Sequence, residues 1–184
     1  IGSCCLCGGT LIYKRPRFIS DREAAVSVTR EILPVRVPAT YSPEGAIRWD
    51  LWMLLKMQGA YYTLTDGEGE LSFLEVDSRF IDNAQFRAHI LKSLREHGAG
   101  GGFDLAVHSA ETRHFEVNGQ NVPFQFLAAE DRTSGSKRRL VDGIVEGING
   151  PVMISLWVDE GFWNPQQVEE IIASIGESEP APGP

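Results

Sequence analysis

The residues best able to do chemistry gather in Asp104–Val117. Read as a strand, its even positions are Asp104, Ala106, His108, Ala110, Thr112, His114 and Glu116. Two imidazoles and two carboxylates on one face could serve acid–base chemistry or hold a metal. Spacing argues against a shared metal, because six residues of strand put His108 and His114 roughly 20 Å apart. The face reads more simply as the solvated outside of a sheet. Other chemical candidates meet similar objections. Asp66-Gly67-Glu68-Gly69-Glu70 lacks calcium-loop spacing and reads as a hairpin turn. Gly98–Gly102 is glycine-rich like a phosphate loop, but no Gly-Lys-Ser/Thr follows and a strand comes next, so it reads as a connector. His89 and His97 lack a second ligand four residues away. No Gly-x-Ser-x-Gly elbow occurs. The residues therefore indicate no catalytic group, no metal site and no cofactor.

All three cysteines, Cys4, Cys5 and Cys7, lie in the uncharged stretch Ile1–Tyr13, which Lys14-Arg15-Pro16-Arg17 follows. Cys4-x-x-Cys7 has no second ligand pair for zinc and no βαβ context for redox work. Cysteines beside a membrane segment are candidates for acylation, and Ile1-Gly2-Ser3-Cys4 loosely resembles the end of a bacterial lipoprotein signal. The chain starts at Ile1 and not at Met, which fits a processed chain or a fragment. Ile1–Tyr13 is too short to span a bilayer alone. It is read as the end of a membrane or signal segment, with a buried strand or a leader as the alternative.

Candidate partner-binding residues lie at the other end. Arg132, Lys137, Arg138 and Arg139 cluster around a turn and could dock an acidic partner or a lipid head group. Phe162 and Trp163 stand in the loop before the last helix, where aromatic anchors of interfaces are often found. The simpler reading makes these rings a plug at the end of the core and the cations a solvated hairpin tip. A net charge of −8 argues against a nucleic-acid partner, which calls for clustered cations.

The elements that position these residues follow from periodicity. Ser20-Asp21-Arg22-Glu23 forms a capping box for a helix over Asp21–Ile32, stopped by Pro34. Pro34, Pro38 and Pro43 make the next stretch extended and unfit for a central strand. Ile47, Trp49, Leu51, Met53, Leu55 and Met57 alternate with more polar residues. This predicts one long strand, or two with a bend near Gly59, burying the odd face. Leu71–Val76 is the next strand. A helix follows from Asn83 to His97, with Phe86, Ile90 and Leu94 as its apolar stripe. Strands are then predicted at 105–117, 121–129, 138–148 and 151–158. Asn118-Gly119 and Asn149-Gly150 suit type I′ hairpin turns between them. Asn164-Pro165 opens a final helix, buried through Val168, Ile171, Ile172 and Ile175. Strands joined by tight turns pair antiparallel. The predicted class is therefore α+β, an antiparallel sheet flanked by helices. It comprises residues 1–19 as membrane or signal end plus basic linker, 20–176 as one domain, and 177–184 as a tail.

Val117-Asn118-Gly119-Gln120-Asn121-Val122-Pro123-Phe124, then Gly135 with Arg138-Arg139-Leu140-Val141-Asp142-Gly143, then Asn149-Gly150-Pro151-Val152-Met153-Ile154 and the helix ending Ile171-Ile172-Ala173-Ser174-Ile175, resemble the C-terminal part of the PsbP-like α/β/α sandwich superfamily. The entry through Leu33-Pro34 and Tyr41-Ser42-Pro43 is also similar. That group includes photosystem extrinsic subunits, DcrB-type bacterial proteins and a Ran-binding nuclear import factor. The resemblance implies no shared catalytic residue and members that mostly bind proteins or sit in membrane-associated complexes. The function expected is a non-catalytic, membrane-tethered binding or accessory domain for another protein, of bacterial membrane-anchored type. The alternatives are a small-ligand-binding or hydrolytic domain with a cleft beside Gly98–Gly102, or a soluble domain with a redox-active thiol cluster.

Overall fold

The computed structural model describes residues 17–51, 55–77 and 104–177. Its centre is an eight-stranded, wholly antiparallel sheet. The strands are β1 (Arg17–Ile19), β2 (Tyr41–Leu51), β3 (Leu55–Leu64), β4 (Gly69–Asp77), β5 (Leu105–Val117), β6 (Gln120–Asp131), β7 (Lys137–Glu146) and β8 (Pro151–Asp159). Helix α1 (Arg22–Ile32) joins β1 to β2, and α2 (Pro165–Ala173) follows β8 after a short 3-10 turn at Glu160–Phe162. The spatial order is β1-β2-β3-β4-β8-β7-β6-β5. Two meanders thus meet where β4 pairs with β8. The α+β class expected from the sequence holds at this level. The sheet begins at Arg17, inside the stretch expected to be linker, because Arg17–Ile19 pairs with Ala46–Arg48. The helix expected over 83–97, the Gly98–Gly102 connector and the cysteines lie outside the described residues.

Both helices pack on one face, over a core that includes Phe73, Phe124, Leu71, Val28 and Ile172. Helix α1 lies on β2 and β3, and α2 on β5. Asp21, not Ser20, caps α1: its carboxylate accepts the Glu23 N–H at 3.0 Å. Asn164 caps α2 by accepting the Gln166 and Gln167 N–H groups, with Pro165 in the first turn as expected.

One local expectation gains detail and two change. The odd residues Ile47, Trp49 and Met57 do cluster, but with Leu74, Val76 and Met153 on the face away from the two helices. The helix-side face of β2 and β3 is carried by Ala46, Ala60 and Tyr62. The reversal in this stretch falls between Leu51 and Leu55, which pair directly, and Gly59 sits inside β3. Asn118-Gly119 makes the expected left-handed turn, with φ of 51° and 73°. Asn149-Gly150 does not. There the turn is pulled onto α1: the Ile148 N–H donates to the Ile32 carbonyl at 2.8 Å, and Asn149 donates to Glu31 and Glu75. Gly147 is required here, since a Cβ would meet the Ile32 carbonyl oxygen and Val152.

Candidate functional site

The sheet end built from the β3–β4 turn, the β6–β7 turn and the β8–α2 connection gathers the partner-binding residues. The Arg138 guanidinium lies 4.6 Å from the Trp157 ring centre and within ion-pair range of Asp131 and Glu68, at 3.8 and 4.0 Å. Its side chain is buried, so it belongs to the framework and not to the docking surface expected for it. Arg139 forms a two-pronged pair with Glu160, at 2.6 and 2.7 Å. Each partner holds the other charged: the Arg139 pKa is raised and that of Glu160 lowered, chiefly by these hydrogen bonds. Arg132 pairs with Asp104 at 3.0 Å. Lys137 is exposed at the start of β7. The expected basic patch is therefore a charge-matched rim, because Asp131 of the same turn and carboxylates from three other segments, Asp104, Glu68 and Glu160, lie against it.

Asp131 organises the turn. Its carboxylate accepts the Thr133 N–H at 2.8 Å and the Ser134 N–H at 3.4 Å, and the Thr133 bond leads in holding its pKa below the ordinary value. Gly135, at φ 74°, completes the reversal.

The two aromatic residues separate in role. Trp163 is half-buried, packs against the main core, and meets Phe126 edge-on at 6.4 Å. Phe162 is 48% exposed. It sits on the 3-10 turn, which Asp159 caps through the Gly161 N–H and the Arg139–Glu160 pair clamps. Its ring lies over Gly67, where a Cβ would come within 2.7 Å of it. Beside the pair runs a groove of about 310 Å³, floored by Phe126 and Trp163 and edged by Arg113 and Arg139. Arg113 stacks over Phe126 at 4.7 Å and is bound by Glu111 at 2.9 Å. The sequence reading missed Arg113, Glu111 and Phe126. No family model matches this chain, and no curated protein matches it significantly. The groove is chemically an amphipathic surface: π faces at the centre, fixed guanidinium–carboxylate pairs at the edge.

The histidine constellation is not assembled. A bulge between Val107 and Ser109 shifts the β5–β6 register, so the even positions before it and after it point to opposite faces. His108 approaches Glu130 at 3.5 Å, Asp104 is engaged by Arg132, and His114 is exposed on the outermost strand. Neither the two cavities along α1 nor the groove beside Trp163 is lined by Asp104, His108 or His114. Among the described residues no group of three or more His, Cys, Asp or Glu could hold a metal ion, and no helix is long and apolar enough to cross a membrane.

Proposed function

We propose that this chain is a non-catalytic, membrane-tethered binding or accessory domain with a PsbP-like α/β/α arrangement. It docks a protein partner at the Phe162 end of the sheet. The observation that carries this reading is Phe162, an aromatic ring half in water on a turn locked by Asp159 and by the Arg139–Glu160 pair. A side chain held in place before binding loses little entropy when it docks. Large rings surrounded by a polar rim are where interface energy concentrates. Arg139, already paired to Glu160 on the same turn, gives that rim direction without strong net charge, and Arg113, paired to Glu111, edges the adjoining groove. The tether is the apolar segment of which Ile1–Tyr13 is the end, with Cys4, Cys5 and Cys7 as lipidation candidates. The antiparallel sheet supports the PsbP-like reading, and the two described helices form one of the two outer layers that such a sandwich requires.

The test places a photo-crosslinking amino acid at position 162, and at the exposed Thr112 as control, in the full-length membrane-bound protein. A discrete adduct at 162 and not at 112 supports the docking face. Affinity of the purified adduct partner is then measured against Phe162→Ala, where a loss of about 2 kcal/mol, or roughly 30-fold, is expected. Equal labelling at both positions, or an unchanged Kd, refutes it. Carbonate extraction tests the tether separately: release into the soluble fraction removes it.

A further inference from the structure

A second cavity, of about 350 Å³, lies between α1, the Pro34–Ala39 segment and the start of β2, with Glu177 at its edge. The sequence showed this segment only as an extended connection. Its walls are mostly apolar, with Val26, Val35 and Val37 among them. That volume holds about a dozen heavy atoms at liquid packing. It falls at the small end of known ligand pockets, which are apolar with a few placed polar groups.

The polar groups are specific. Tyr41 lines the cavity and is only 5% exposed, yet no hydrogen bond to its hydroxyl exists among the described residues. Tyr62, which also lines it, differs: its hydroxyl shares a 2.7 Å hydrogen bond with Thr29, and Thr29 in turn donates to the Ala25 carbonyl. Burial pushes the Tyr41 phenol up to about 12, so it stays a protonated donor at any physiological pH. A donor on the wall of such a cavity bonds water, and a ligand acceptor can take that water's place. At the edge stands Arg36, whose guanidinium meets the Glu177 carboxylate at 3.4 Å while both side chains are largely exposed. Glu177 thus occupies a position where another carboxylate could sit.

We infer that this cavity binds a small apolar monocarboxylate. Its hydrocarbon or aromatic body lies among the valines, Tyr41 donates to a carboxylate oxygen, and Arg36 exchanges Glu177 for the ligand's acid group. This site is independent of the Phe162 docking face.

The test uses the full chain and decanoate, whose twelve heavy atoms match the volume, with 1-naphthoate as a ring-shaped acid and decanol as the uncharged control. Titration calorimetry below the micellar range is the readout. Either acid should bind at least about tenfold more tightly than decanol. Arg36→Gln should weaken the acid about tenfold and leave decanol unchanged. Tyr41→Phe should weaken it severalfold. Glu177→Gln should strengthen it, because the competing carboxylate is gone. The exposed Arg36 and Glu177 variants keep the test sound if Tyr41→Phe disturbs folding. No binding of either acid at millimolar concentration, decanol binding as tightly as the acids, or indifference to both Arg36→Gln and Glu177→Gln overturns the proposal.

Discussion

Glu75 offers the sharpest test of how this fold is held. Its side chain is 1% exposed on β4, on the helix-side face. One carboxylate oxygen accepts from Gln58 Nε2 at 2.7 Å, and the other accepts from the Asn149 N–H at 3.2 Å. It therefore ties β3 to the β7–β8 turn that docks on α1. Glu75→Ala strands both donors. Gln58 is 2% exposed, so its amide bears the full cost of an unmet buried donor, about 1–3 kcal/mol. The Asn149 N–H is half-buried and adds about 1 kcal/mol. The expected loss is about 3 kcal/mol, a large share of a stability of roughly 5–15 kcal/mol. It corresponds to a fall in Tm of about 6–12 °C for a chain this size. Glu75→Gln keeps the shape and one acceptor and should cost about 1 kcal/mol. Urea denaturation measures both, with an unchanged m-value as the check on two-state unfolding. Combined with Gln58→Ala, Glu75→Ala should cost at least about 1 kcal/mol less than the sum of the two single losses. Hydrogen exchange should speed at Asn149 and not in the β5–β6 ladder. If the two single losses add within about 0.5 kcal/mol, or Glu75→Ala costs no more than Glu75→Gln, the node does not exist.

Other outcomes follow from the same geometry. Glu70 lies across from Trp157, and burial raises its carboxyl pKa. A raised folded pKa means stability that is complete below the ordinary carboxyl range and is lost as pH rises through the folded value. Glu70→Gln should therefore melt higher than the parent at about pH 8, with the gap closing by about pH 4; a lower Tm at pH 8 would contradict this. A Cβ on Gly143 would run into the ring of Phe124, which is fully buried, so Gly143→Ala should lose about 1–3 kcal/mol by overpacking in urea titrations. Phe162→Ala should cost only about 1 kcal/mol, since roughly half the ring is already in water, whereas Trp163→Ala should cost about 3 kcal/mol. Equal losses in thermal melts would mean that Phe162 is framework after all.

Periodicity and capping chemistry made most of the described elements legible. Helix α1, α2 and strands β5 to β8 fall within a few residues of their predicted spans. What escaped was decided by distant contacts. Alternation put Ile47, Trp49 and Met57 on one buried face, and they do pack together, but it gave no sign of which face the helices cover. Helix α1 lies over Ala46 and Ala60, where small side chains let a helix approach the sheet closely. The Asn149-Gly150 turn was misread because its geometry answers to Ile32 and Glu75, over seventy residues earlier. The bulge at Val107–Ser109 has no local marker, so alternation alone put His108 and His114 on one face.

The same reasoning explains why the candidate site changed character between sequence and fold. Four cations close together in sequence look like a basic patch. Among their neighbours in space, Asp131 directly precedes Arg132, while Asp104, Glu68 and Glu160 come from three other parts of the chain; together they cancel the charge. Cancellation removes long-range attraction but fixes the side chains, Arg138 between a ring and two carboxylates and Arg139 in a two-pronged pair. A loose basic patch would select partners by charge and weaken with salt. A locked rim around an exposed ring selects by shape. A partner docking here would therefore keep most of its affinity as ionic strength rises.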